Sequence, residues 1–336
     1  MKFMQKQKNY YRWLIWGVLC LTYIISVLHR MGMGVIRADL GDTFNMSAMA
    51  FAAVGSVYFY AYMVMQIPAG MLADSIGVRV TAAAGTALAG VGSVLFGLSP
   101  TVSLVYVARF LIALGVSVLF VSILKIQASW FHEREFGRLS GLAVLFENTG
   151  AILSQTPLVA LVALLTWRYS FVLVGVAGMI TAAICLLIIR NKPSDIGLPP
   201  PTNCETEKNK PKKQNVIRAL SQVCKNPYTW PVGISYAGVN GSLMALTGTW
   251  GQSYFIDVYG MGEMKAASYN TIYPYWRSDC RLVRRLGIRQ TAKKKSPDDY
   301  FGYSLHTLLD CSGACLRREA AVIYFKGAYF YNGLVL

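Results

Sequence analysis

Seven apolar runs long enough to cross a bilayer occupy residues 13–36, 49–72, 80–99, 102–130, 138–165, 169–190 and 231–258. A bilayer's hydrocarbon core is about 30 Å thick and takes roughly 20 mostly apolar helical residues to span. Backbone N–H and C=O groups find no water there, so a spanning chain must be helical or a closed barrel. The runs show no period-2 alternation, which leaves α-helices. The chain therefore reads as an all-α polytopic membrane protein, with a further helix beginning near Met264. With 54% hydrophobic and only 14% charged residues, it lacks the polar surface a soluble protein of 336 residues needs.

The formal charge of +16 would suit a nucleic-acid partner, but in the apolar part the basic residues stand between the runs and form no basic face. Residues 273–336 alone hold 11 of the 32 Lys and Arg. No nucleic acid is expected. Short loops rich in Lys and Arg stay on the cytoplasmic side. Lys2, Lys6, Lys8 and Arg12, then Arg79, then "HEREFGR", then Arg190 and the lysines of 191–230 fall at alternate ends of successive runs. The intervening turns, "RADLGDTF" and "LSPTVS", are poor in positive charge. This predicts a cytoplasmic N-terminus in the inner membrane. No small-residue cleavage site follows the first run, which reads as a retained helix.

Residues 191–230, "NKPSDIGLPPPTNCETEKNKPKKQN…", are Pro-rich and charged and cannot bury a core. They read as a cytoplasmic linker between a six-helix bundle at 1–190 and the start of a second bundle at 231–272. Nothing points to catalysis, a cofactor or a metal: His29, His132 and His306 are isolated, and Cys311 and Cys315 lack the second ligand pair of a zinc site.

After the second run comes "GMLADSIGVR". It resembles the Gly-x-Leu-Ala-Asp-Arg-x-Gly-x-Arg signature of the major facilitator superfamily through Gly70, Asp74, Gly77 and Arg79. Ser75 departs from it, standing where the family has Arg. Gly70 is expected to let helices approach, and Gly77 to permit a tight turn. "ARFLIALGVSV" resembles the family's fourth helix through Arg109 and Gly115, "WFHEREFGRLSG" its next turn, and "TWRYSFVLVG" the start of its sixth helix. "RNKPSDIGLPP" resembles the organophosphate/phosphate antiporters and anion:cation symporters within that family. The resemblance covers residues 12–270. It implies alternating access at a midplane site between two six-helix halves, monomeric and serving a small organic anion of carboxylate or sugar-phosphate type. A transporter-like sensor of such an anion is the alternative.

Charges inside membrane helices are costly and mark candidate sites. Arg30 falls where the antiporters place a phosphate-binding arginine, and a guanidinium fork suits an oxyanion. Its competing reading is an arginine snorkelling from the helix end. Lys125 stands where those antiporters carry a cation, and also reads as a snorkelling lysine. Glu147 aligns with a family histidine near the substrate and reads as a group coupling a proton or ion, or as the partner of Lys125 or Arg30. Arg109 reads as structural or coupling. The seventh run has no Arg or Lys, so a two-arginine phosphate clamp is not expected. Asn240, Trp250 and Gln252 offer hydrogen bonds and stacking there.

The tail breaks this pattern. "NTIYPYWRSDCRLVRRLGIRQTAKKKSPDDYF" carries arginines where an eighth helix belongs. Read one base later, Trp276 becomes Gly, Asp279 becomes Ile or Thr, and Cys280 becomes Val or Ala. These are residues of a membrane helix. Residues 273–336 are therefore expected to be out of frame from near Thr271–Tyr273, and the chain as written to be inactive. The rival reading is a tail that binds acidic lipid.

Overall fold

The computed structural model describes residues 2–198, 224–227 and 229–270. Most of the 191–230 linker and the 273–336 tail lie outside the described residues. Helices account for nearly all of the rest: α1 (Lys2–Met31), a 3₁₀ segment (Gly32–Ile36), α2 (Arg37–Phe44), α3 (Ala48–Ser75), α4 (Val78–Gly97), α5 (Val102–Trp130), α6 (Glu133–Leu153) and α7 (Thr156–Ile188). Further on come α8 (Thr229–Ala245), a π-helical segment (Leu246–Trp250), α9 (Gly251–Tyr259) and a helical stretch at 263–270.

Local chemistry sets the boundaries. Asn45 ends α2 in the left-handed region (φ 50), which Asn tolerates better than most residues. Ser47 then caps α3 by accepting the Ala50 N–H at 3.2 Å, and Thr101 caps α5 by accepting that of Leu104 at 3.4 Å. At the head of α6 the His132 N–H donates to Glu135. The same carboxylate takes both Nη atoms of Arg12 at 2.9 and 3.2 Å, so one side chain ties the starts of α1 and α6 together.

Residues Glu133–Ile188 form an apolar helical stretch of 56 residues. As one rod it would reach about 84 Å, nearly three times the hydrocarbon thickness. It is broken at Thr166, whose φ of 70° and ψ of 159° are not helical. Contacts on either side show that the chain reverses there. Arg12 meets Glu135 and Arg30 meets Glu147, so α6 runs parallel to α1. Beyond Thr166, Arg168 meets Gly97, while Leu186 accepts from Arg79, so this part of α7 runs antiparallel to α4. Six crossings of the bundle result, as the hydropathy predicts.

Small residues let these helices touch. A Cβ at Gly175 would lie 2.7 Å from the Gly90 carbonyl oxygen, and one at Gly92 would lie 2.9 Å from the Ile112 nitrogen. Lipid offers no hydrophobic drive for helix pairing, so such close contact is what holds α4 against α5 and α7. Two apolar cores fill the bundle, one around Ile15, Trp16, Leu119 and Trp130, the other around Met33, Phe51, Phe96 and Phe171. Arg168 closes the second end of α4, donating to the carbonyls of Gly97 and Ser99 while its guanidinium lies over Trp167.

Three expectations are corrected. "RADLGDTF" is the helix α2, because its polar side chains lie beyond the apolar run and leave the helix free to continue. Residues 138–165 are not one helix: the turn at Ser154–Gln155 divides them, and helix starts earlier, at Glu133. Gly70 does not serve close approach, since a Cβ there would meet nothing within 4 Å.

Candidate functional site

Arg30 and Glu147 are brought together. Arg30, one residue from the end of α1, donates from Nη2 to Glu147 Oε1 of α6 at 2.6 Å, with side chains 14% and 30% exposed. The bond engages one end of the guanidinium. Arg30 Nε is buried with no hydrogen-bond partner. Tyr23, Tyr58 and Tyr62 stand within electrostatic range of Arg30, and Tyr58 and Tyr62 are stacked with centroids 6.2 Å apart. The Tyr58 hydroxyl is likewise buried and unpartnered. An oxyanion reaching this place would find two N–H or O–H donors beside a positive charge.

Behind the pair lies a second arginine. Arg109 of α5 is 1% exposed, donates to the His29 carbonyl at 2.7 Å, and holds its guanidinium 4.4 Å from the centre of the Tyr58 ring. It thereby braces both the residue before Arg30 and a tyrosine beside it. His29 is buried, and neither ring nitrogen has a partner. No residue pattern marks Tyr58's place, which rests on a contact between α3 and α5. His29 was visible in "LHRM" but carries no spacing that marks it.

Lys125 is not brought to Arg30 and Glu147. It reaches Asp74 at the end of α3, forming an ion pair, and Nζ lies 3.5 Å from the Gly70 carbonyl. Asp74 is largely exposed, so this pair belongs to the end of the bundle. The rest of the loop motif is anchored to the segment after α7. Gly77 has φ 85°, and a Cβ there would lie 2.7 Å from the side-chain carbon of Asn191. Asn191 accepts the Arg79 N–H at 2.9 Å, and Arg79 Nε donates to the Leu186 carbonyl at 2.7 Å. Ser75 is exposed and only bonds back to Leu72. Asn191 was missed as a partner, although it lies in the quoted "RNKPSDIG".

Trp250 is not placed at Arg30 either. Trp250, last in the π segment, meets Phe51 edge-on at 6.3 Å and lies under the Arg37 guanidinium at 5.3 Å. Arg37 also pairs with Asp257 of α9 at 2.9 Å. Asn240 is in α8, and its side chain lies outside the described residues. The π segment packs on the 3₁₀ segment: a Cβ on Gly34 would lie 3.1 Å from the Thr249 carbonyl oxygen.

Comparison with known proteins bears on the family and the fold. "Uncharacterized transporter YybO" of Bacillus subtilis (strain 168) is 27% identical over 279 residues, 80% of this chain and 62% of that protein. "Probable sulfoacetate transporter SauU" of Cupriavidus necator is 28% identical over 178 residues, 52% of this chain and 40% of that protein. The "Hexuronate transporter" of Bacillus subtilis is 23% identical over 315 residues, 92% of this chain and 71% of that protein. This chain thus spans less than two thirds of the length of the first two. Among solved structures, a bacterial homolog of the human lysosomal transporter Spinster, inward-facing and unoccupied, superposes with a TM-score of 0.60 at 18% identity, over 78% of this chain and 59% of that one. The D-xylose–proton symporter gives 0.56 at 15% identity, over 83% and 70%. At these identities the structural matches speak for the fold alone. The Major Facilitator Superfamily profile matches residues 19–274, three quarters of the sequence, and the chain belongs to that superfamily of membrane transporters.

Proposed function

We propose that this chain derives from a secondary active transporter that carries a small organic anion across the cytoplasmic membrane by alternating access, with its N-terminus in the cytoplasm. The observation that carries the reading is Arg30: a guanidinium held in the bundle by Glu147, with Nε unpartnered and the Tyr58 hydroxyl unpartnered nearby. Relatives named for sulfoacetate and hexuronate support the substrate class, since both are organic anions. Glu147 is the group that would feel substrate arrival, because an anion on Arg30 competes for the same guanidinium. Release of that carboxylate gives a route for coupling to a proton or another ion. The basic residues near alternate helix ends support the orientation.

Alternating access requires the contacts between the first six crossings and the seventh helix to open and close. Arg37–Asp257, Arg37 over Trp250, and Gly34 against Thr249 form one such set of contacts. Lys125–Asp74 and Arg79–Asn191 are assigned to the opposite end, where they would brace the bundle during the same movement.

The 336-residue form is proposed to be incapable of transport, its reading frame having slipped near Thr271–Tyr273. The family match supports this by ending at residue 274, where the apolar pattern also stops. The hexuronate-transporter alignment extends past that point and favours a tail that is in frame. Resequencing the gene across codons 268–280 decides between them, and an intact frame removes the proposal. For the substrate, glucuronate and sulfoacetate uptake into proteoliposomes is the test, using the frame-restored chain with and without Arg30→Gln. Uptake abolished by the substitution is expected. Uptake indifferent to it overturns the assignment of Arg30, and binding without uptake would indicate a sensor.

A further inference from the structure

The crossing made by α6 and the start of α7 is bent where its backbone cannot bond to itself. Pro157, in the first turn of α7, has no N–H to give the Leu153 carbonyl. The helix stops at Leu153, and Gln155 takes φ −105° and ψ −106°, outside the helical region. A bend within an apolar run turns out polar groups that lipid cannot satisfy, so protein must cover it. On one side Leu158 fills the space a Cβ at Gly32 would need, 2.6 Å away, which seats the bend on the 3₁₀ segment. On the other, Gln155 Oε1 accepts from Asn270 Nδ2 at 3.0 Å, across 115 residues of chain.

Asn270 ends the helical stretch that follows the seventh helix, so this bond joins the first bundle to the start of the second. Gln155 is 5% exposed and Asn270 4%. The approach is close: a Cβ on Gly251, at the start of α9, would lie 2.6 Å from Asn270 Oδ1. Arg37–Asp257 joins the same two parts of the chain, but with side chains 29% and 60% exposed. An ion pair that water reaches contributes little, because its charges are solvated whether it is made or broken. A buried amide pair behaves differently. Parted without water, each partner bears the desolvation of an unmade hydrogen bond; parted into water, both are satisfied. The pair is therefore stable joined and dry, or open and wet.

We propose that Gln155–Asn270 is the latch that holds the first bundle against the start of the second, and that Arg37–Asp257 is not. The inference rests on reading the chain as an alternating-access transporter. Its test needs neither an anion nor uptake, so a failed substrate assignment and a failed latch give different results.

Ser253→Cys places a thiol at a buried position of the seventh helix. The reporter is made in the purified 336-residue chain with its seven native cysteines replaced by alanine. The rate of labelling by a water-soluble maleimide then reads how often the bundles part. Slow labelling is expected in this parent. Gln155→Leu and Asn270→Leu should each speed it roughly fivefold, since either strips the remaining partner of this bond in the joined state. The double variant Gln155→Leu/Asn270→Leu should label slowly again, because two apolar side chains can meet dry. Arg37→Gln should change the rate less than about twofold. Melting temperature reports whether each variant is folded. If Gln155→Leu does not fold, Asn270→Ala, which removes the donor and adds no bulk, carries the decision. Labelling unchanged by the single variants, a double variant as fast as the singles, or Arg37→Gln as fast as Asn270→Leu overturns the proposal.

Discussion

Two of the cation–carboxylate pairs in the bundle look alike in sequence: a basic residue late in one apolar run, a carboxylate in or just past another. Arg30–Glu147 joins α1 to α6 with side chains 14% and 30% exposed, while Lys125–Asp74 joins α5 to the end of α3 with 26% and 77%. The difference shows that a charge inside an apolar run does not fix its own depth. Lysine's four-carbon stem can carry the ammonium to the end of the bundle. Arginine near a helix end can instead be drawn inward by a carboxylate on a neighbour. The first pair is partly buried and the more costly to break; the second, with Asp74 largely exposed, is open to water and worth little.

The largest test of that contrast is Glu147→Leu. It leaves the Arg30 charge in the bundle without its partner, and breaking a buried pair in this way costs about 3 kcal/mol. Thermal unfolding in detergent should show a drop in melting temperature of several degrees, largely recovered in the double variant Arg30→Leu/Glu147→Leu. A double variant no more stable than Glu147→Leu would mean the pair is not a unit. Next, Arg30→Gln should weaken binding of glucuronate by roughly 30-fold, in keeping with about 2 kcal/mol for hydrogen bonds to a charged group. Titration calorimetry checks this, and full affinity would place the anion elsewhere. Gly77→Ala, in the turn just after the helix end that carries Asp74, should cost roughly 1–2 kcal/mol, because its φ is positive and the Asn191 side chain occupies the space. Gly70→Ala, with open space around it, should cost much less. Smallest of all, a double-mutant cycle on Lys125→Met and Asp74→Asn should give a coupling below about 1 kcal/mol that fades as salt is added. A coupling as large as that of Arg30–Glu147 would erase the distinction.

Much of the fold was legible because transfer free energy is a local property. Each apolar run announces a crossing, and the runs at 102–130 and 231–258 fall within a few residues of the observed helices. What hydropathy cannot see is helix that continues without lipid around it, as α2 does, or a break among apolar residues, as at Gln155. The site was half legible. Arg30 and Glu147 stood out because charge in a membrane is costly. Their pairing, the bracing of His29 by Arg109, and the Arg37–Asp257 contact across 220 residues of chain depend on which helix faces which. No residue type or spacing encodes that.

The 3₁₀ segment has a consequence for direction. Arg30 and Arg37 are seven residues apart, and on an unbroken α-helix both would lie on one face. Five residues wound at three per turn add about 100° of rotation between them. That extra twist lets one continuous crossing aim Arg30 at Glu147 inside the first bundle and Arg37 at Asp257 on the seventh helix. Rewinding Gly32–Ile36 to α geometry would turn Arg37 off Asp257 while leaving Arg30 on Glu147. Within one crossing, those five residues set two headings, one toward the charge pair of the first bundle and one toward the seventh helix.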